Sequence, residues 1–160
     1  DLHSFPTRRS SDLAVGRLRT PGTTELYAEY AGRIGRFCRF SCSEIPEAAG
    51  AFKNPREIVA RESRLILEKT EDRPFALCTP AGTQHDSPGF AAWLGGVLER
   101  EGQLTIVIGG SEGVSPDVME KAAWTLSLSR LTFPHQLFRG LLAEQLYRAL
   151  TILKGHPYHK

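Results

Sequence analysis

Two rhythms of apolar residues alternate along this chain. One is short: positions 37–42 alternate apolar and polar, while 75–79, 104–108 and 125–129 form brief runs, the second of them continuous and β-branched. Uninterrupted runs of this length are expected of strands buried on both faces of a parallel sheet. The other rhythm repeats every three to four residues. It sets Leu26, Tyr30 and Ile34, then Phe90, Trp93, Leu94 and Val97, then Phe138, Leu142, Leu146, Leu150 and Leu153 along single helical faces.

Punctuation falls between the rhythms. Thr24 reads as a helix N-cap, and Asn54, Ser87 and Ser115 each stand directly before a proline, the pairing of N-cap and first helical position. Pro134 opens the longest helix. Between 54 and 69, Glu57 with Arg61 and Arg64 with Glu68 have i,i+4 spacing, a solvated face. Strand then helix recurs five times with no internal repeat and no low-complexity linker. The pattern predicts one α/β domain, a mostly parallel sheet with helices on both faces.

Two of the predicted strands end in suggestive loops. The run at 104–108 meets Gly109 and Gly110, where glycine permits positive φ and close approach of a ligand to the main chain. The run at 125–129 leads through 130–133 to Pro134. Both loops fall on one rim of the predicted sheet, the usual ligand position in open α/β folds. A P-loop lysine does not follow the glycines, so the turn alone does not define a phosphate site.

Composition narrows the class. A chain of 160 residues is about one domain, and its formal charge of +2 is small for a nucleic-acid binder. The distribution is uneven, however. From Arg130 onward five basic residues face the single acid Glu144, a net +4 that leaves −2 for everything before it. Cys38, Cys42 and Cys78 are odd in number and contain no CxxC pair, which argues for reduced packing residues in a cytosolic protein. No apolar run approaches the roughly 18 residues of a membrane span. No metal is expected at His135, His156 and His159, since no acidic or cysteine ligand accompanies them at helical spacing. Residues 1–12, DLHSFPTRRSSD, are polar and lack the apolar stretch of a signal peptide, so a foreign or disordered leader is expected there, with the domain spanning 13–160.

Four motifs in the last third belong together: IGGSEG, LSLSRLTFPHQ, LLAEQLYRA and the terminal PYHK. As a set they resemble the RlmH family of SPOUT methyltransferases, densely over 106–160 and more loosely over 13–104. The resemblance implies a C-terminal deep trefoil knot, with knot and cofactor loops over about 75–160. It implies S-adenosylmethionine (SAM) as cofactor, N3 of a pseudouridine in 23S ribosomal RNA as methyl acceptor, and a cytoplasmic homodimer whose C-terminal helix packs on the second copy. The implied cofactor contacts are Cys78, Gly109, and Leu128, Ser129, Arg130, Leu131, Thr132 and Phe133, where apolar side chains wall the adenine and main-chain groups read its edge. Family members carry leucine where this chain has Cys78, a loss of roughly 1 to 2 kcal/mol of apolar contact.

Tyr158 and His159 are the implied catalytic residues, and Lys160 is the implied RNA contact. Imidazole titrates near pH 6.5 and accepts a proton at neutral pH. Arg139 lies off the apolar stripe and near the ligand loop, which assigns it to RNA phosphate or the cofactor side. His135, in the first turn of the long helix, suits a structural bond or a ligand-loop contact. Two alternatives stay open: a catalytically impaired RNA-binding module of the same fold, and a phosphate-binding α/β enzyme at the Gly109 turn.

Overall fold

The computed structural model describes residues 8–160. They form β1 (Arg9–Val15), α1 (Thr23–Ile34), β2 (Arg39–Ile45), α2 (Pro55–Thr70), β3 (Phe75–Gln84), α3 (Ser87–Glu101), β4 (Gln103–Ile108), α4 (Pro116–Lys121), β5 (Trp124–Ser127) and α5 (His135–Lys154). All neighbouring strands are parallel, in the order β2-β1-β4-β3-β5.

Side chains on the three central strands alternate between two cores, as period-2 geometry requires. Ala14, Ala76, Ile106 and Ile108 face a layer that includes Ile34, Leu94 and Leu146 of α1, α3 and α5. Leu13, Val15, Phe75, Leu77 and Val107 face Ile66 of α2 and Val118 of α4. A sheet buried on both sides explains the continuous apolar runs at 75–79 and 104–108.

Several boundaries differ from the sequence reading for local reasons. Asn54 caps α2 as expected, its side chain accepting from the Arg56 N–H at 2.9 Å. α3 is capped one residue earlier than expected, by Asp86, which accepts from the Gly89 N–H at 2.7 Å. α1 starts at Gly22, whose φ of 85° suits glycine, and the Thr24 hydroxyl instead donates back to the Thr20 carbonyl. β3 continues through Pro80 to Gln84. Its ladder with β5 breaks between Cys78 and Thr83, both of which pair Leu126, so Pro80 sits in an excursion where a missing N–H loses no ladder bond. Gly82 lies against β5 there: a Cβ would stand 2.7 Å from the Leu126 backbone.

β1 begins at Arg9, upstream of the boundary expected at 12/13, while residues 1–7 of the expected leader lie outside the described residues. The strand pairs along its length with both neighbours but fits the core poorly. Ser10 and Asp12 continue the face of Ala14 and are buried. Tyr27 donates to Asp12 Oδ2 at 3.1 Å, whereas Asp12 Oδ1 and Ser10 Oγ have no hydrogen-bond partner among the described residues. Burial pushes the Asp12 carboxyl up to about 7, against the opposing pull of the Tyr27 bond and the Arg139 charge.

Candidate functional site

Parallel pairing brings the C-terminal ends of β3, β4 and β5 to one rim. Between them opens a pocket of about 480 Å³, within the usual range for a small-molecule site. Of the residues expected at the cofactor, Cys78, Gly109, Leu128, Ser129, Leu131, Thr132 and Phe133 line it, and Arg130 does not. Val114 and Met119, unnamed in the sequence, and Phe138, expected there only in the core stripe of the last helix, add to the wall. Their spacing carries no signal, because they come from two helices and a turn that meet only in the fold.

Two serines shape the segment after β5. Ser127 donates to the Ser129 carbonyl at 3.0 Å, and the Leu131 N–H donates to Ser129 Oγ at the same distance. The turn holds Leu131 at the pocket mouth, 72% exposed, with Met119 opposite at 52%. Large apolar side chains left in water at a concave rim favour a ligand that covers them.

The glycine turn works differently from the expectation. Gly109 and Gly110 do not have positive φ; Gly113 does, at 85°. A Cβ at Gly110 would displace the Glu62 carboxylate, and one at Gly109 would stand 2.8 Å from the Val114 methyl. His135 hydrogen-bonds the Gly109 carbonyl, joining the start of α5 to this turn. Burial lowers the basicity of its ring, aided by the Arg139 charge, so it is neutral at neutral pH. Its Nε2 is buried at the pocket without a partner among the described residues, an acceptor left for a ligand. Burial also pushes the Cys78 thiol up, which keeps it protonated and makes it a packing group.

The tail docks elsewhere. Tyr158 donates to Glu144 Oε1 at 3.0 Å, lies 3.2 Å from the Tyr30 hydroxyl, and packs edge-on against Tyr147. Arg148 bonds the same Glu144, and its Nη1 lies 3.1 Å from His159 Nδ1. A guanidinium only donates, so Nδ1 accepts and the proton of the neutral ring sits on Nε2. In this position His159 presents an N–H outward. Burial and the bonds to Tyr30 and Glu144 push the Tyr158 phenol up, so it too remains a donor. Glu144, noted in the sequence only as the single acid after Arg130, is the hub of the tail. Lys160 is exposed, and the pocket lining contains no residue of 155–160.

Arg139 is a correction. It is 1% exposed, pairs with Glu44 at 2.6 Å, donates to Cys42 Sγ at 3.0 Å, and lies 5.3 Å over the Tyr27 ring. The guanidinium therefore ties α5 to β2 and is out of reach of RNA phosphate. Against the burial that raises it, this bond and the Leu18 N–H hold the Glu44 carboxyl below its ordinary value. Helical position alone placed Arg139 off the stripe; it did not show that β1 and β2 close over it.

Among the described residues no three His, Cys, Asp or Glu side chains gather as a metal site, and no helix is long and apolar enough to cross a membrane.

A parallel α/β sheet with a mostly apolar pocket at its strand ends is the architecture of a small-molecule-dependent α/β protein. The family described as "Predicted SPOUT methyltransferase" matches residues 11–159, and the chain belongs to it. Relatives called "Ribosomal RNA large subunit methyltransferase H" include one from Gluconacetobacter diazotrophicus, 42% identical over 92% of this chain and 95% of its own. Another, from Limosilactobacillus reuteri, is 38% identical over 92% of this chain and 97% of its own. Among solved structures, a probable methylase family protein from Haemophilus influenzae Rd KW20 shares the fold at a TM-score of 0.54 and 14% identity, over 95% of this chain and 70% of that one.

Proposed function

We propose that this chain is a SAM-dependent methyltransferase that methylates N3 of a pseudouridine in 23S rRNA of the large ribosomal subunit, acting as a cytoplasmic homodimer. The observation that carries the reading is the convergence of three separate segments on one pocket: residues 77–80, where the β3 ladder breaks, and the loops after β4 and β5. The names of the relatives support ribosomal RNA as the acceptor.

The residues present fit SAM. The walls are apolar at Leu77, Ile108, Leu126, Leu128, Phe133 and Phe138, and among the described residues no Lys or Arg lines the pocket. A cationic sulfonium donor without phosphate suits such a lining, and a nucleotide phosphate does not. This disfavours the phosphate-binding alternative. The buried, unpartnered His135 Nε2 offers a further polar contact. When bound, SAM supplies an electrophilic methyl group. The chain's own contribution is mostly positioning, worth up to about 7 to 11 kcal/mol.

Two carbonyls flank N3 of pseudouridine. The His159 Nε2–H is a donor, and aimed at one of those oxygens it stabilises the N3 anion that forms as the N3 proton passes to solvent and that attacks the methyl group, while the Tyr158 hydroxyl, its one proton held by Glu144, positions the base. Glu144 and Arg148 orient both. Since no tail residue lines the pocket of its own chain, a second copy brings tail and pocket together. The threading of 75–160 as a trefoil knot belongs to the same reading and rests on the family match.

The test is methyl transfer from labelled SAM to large subunits lacking the modification, with SAM affinity measured by calorimetry. Transfer at N3 is expected. Binding of SAM and subunits without transfer identifies the impaired module instead. Removal of 156–160 is expected to preserve SAM binding and abolish turnover; normal turnover by the truncated protein overturns the tail assignment.

A further inference from the structure

We propose that the hollow between the C-terminal ends of α1 and α5 seats an unpaired RNA nucleotide next to the one that is methylated. It has a volume of about 350 Å³ and is lined by Arg36, Phe37, Tyr147, Lys154 and His156. The inference rests on ribosomal RNA being the substrate and adds a subsite to that reading.

The lining combines the two groups that single-stranded nucleic acid requires: aromatic rings for a base, and cations for its phosphate. No carboxylate lines the hollow, though the chain as a whole carries 18 acidic residues against 20 Lys and Arg. Ring geometry favours stacking. Phe37 meets His156 edge-on, centroids 5.2 Å apart at 79°, and meets Tyr147 at 6.1 Å and 55°. Rings held edge to face form an open bracket, whereas rings stacked on each other would cover the faces a base needs. Arg36 is exposed at the rim, within reach of a phosphate outside the hollow.

Position gives the hollow its role. Tyr147 is shared: it lines the hollow and also packs at 4.7 Å against Tyr158, the tail residue assigned to the target base. One ring therefore stands between the hollow and the tail residue assigned to the acceptor, so a neighbouring nucleotide is the occupant the hollow suits. The turn that ends α5 holds this arrangement: the His156 N–H donates to the Thr151 carbonyl at 2.9 Å, fixing the ring against Phe37.

The experiment is steady-state methyl transfer to large subunits lacking the modification, with Arg36→Glu, His156→Ala and Phe37→Leu compared with Arg56→Glu, an equal charge change on α2 across the sheet. Each of the first three is expected to raise KM for subunits roughly tenfold, from lost stacking or phosphate contact, with kcat changed less than KM. SAM affinity and solution mass stay those of the wild type. Arg36→Glu also lowers the salt dependence of subunit binding by about one phosphate contact. Three results overturn the proposal: unchanged KM in the first three, an equal rise with Arg56→Glu, or a reduced solution mass, which makes the hollow a contact between copies. Wild-type protein that methylates nothing overturns both this inference and the reading beneath it, whereas normal methylation with unchanged KM removes the inference alone.

Discussion

Asp12 sets a measurable limit on the stability of this fold. Its carboxyl is fully buried in β1 and titrates near 7, about three units above the ordinary aspartate value of about 3.9. Between those two values the folded chain holds a proton that the unfolded chain has released, so stability falls as pH rises through the window from about 4 to about 7. Three units correspond to roughly 4 kcal/mol, a large share of the 5 to 15 kcal/mol typical of a domain. Asp12→Asn keeps the shape and an acceptor for the Tyr27 hydroxyl but cannot ionise. Urea unfolding of both proteins from pH 4 to 8 measures the effect as the difference between the two curves, which removes contributions from other carboxyls such as Glu62. The wild type is expected to lose up to about 4 kcal/mol relative to Asp12→Asn across that range. Parallel curves would show that the carboxylate reaches water or Arg139 in the folded state, and the account of β1 as a poorly matched strand would be wrong.

Further outcomes follow from the same contacts. Arg139→Met is expected to cost about 3 kcal/mol by thermal or urea unfolding, since it strips a partner from Glu44 and leaves Cys42 and Tyr27 unbraced, while affinity for ribosomal subunits is unchanged. Cys78→Leu fills the pocket wall and is expected to tighten SAM binding by roughly tenfold in calorimetry, from about 1 to 2 kcal/mol of apolar contact. Gly109→Leu drives a side chain into Val114 and the pocket, and is expected to abolish SAM binding without changing solution mass. Gly113→Ala, at φ of 85°, is expected to lower stability by about 1 to 2 kcal/mol.

The layered sheet was legible because its signals are local. Runs such as 104–108 and the helical stripe from Phe138 to Leu153 report burial on their own, and proline after a capping residue marks helix starts wherever it occurs. The loops expected at the cofactor came from motif resemblance alone, and the structure brings seven of their eight named residues to one pocket. What sequence could not reveal depends on contacts distant along the chain. Arg139 bonds Glu44, 95 residues away, and its off-stripe position looks the same for a buried tether as for a surface cation. The role of Glu144 depends on a tail that folds back onto α5, and the donor state of His159 on Arg148 reaching it. The extension of β3 past Pro80 required knowing that β5 pairs with it twice.

The tail of this chain lies on α1 and α5, and the pocket at the strand ends contains none of it. Under the composite site proposed above, a lone copy would hold a donor chamber and an acceptor clamp apart from each other. Output from a catalyst divided in this way obeys mass action on the catalyst itself. Well below the pairing constant, halving the protein would quarter the rate, so scarcity alone switches the enzyme off.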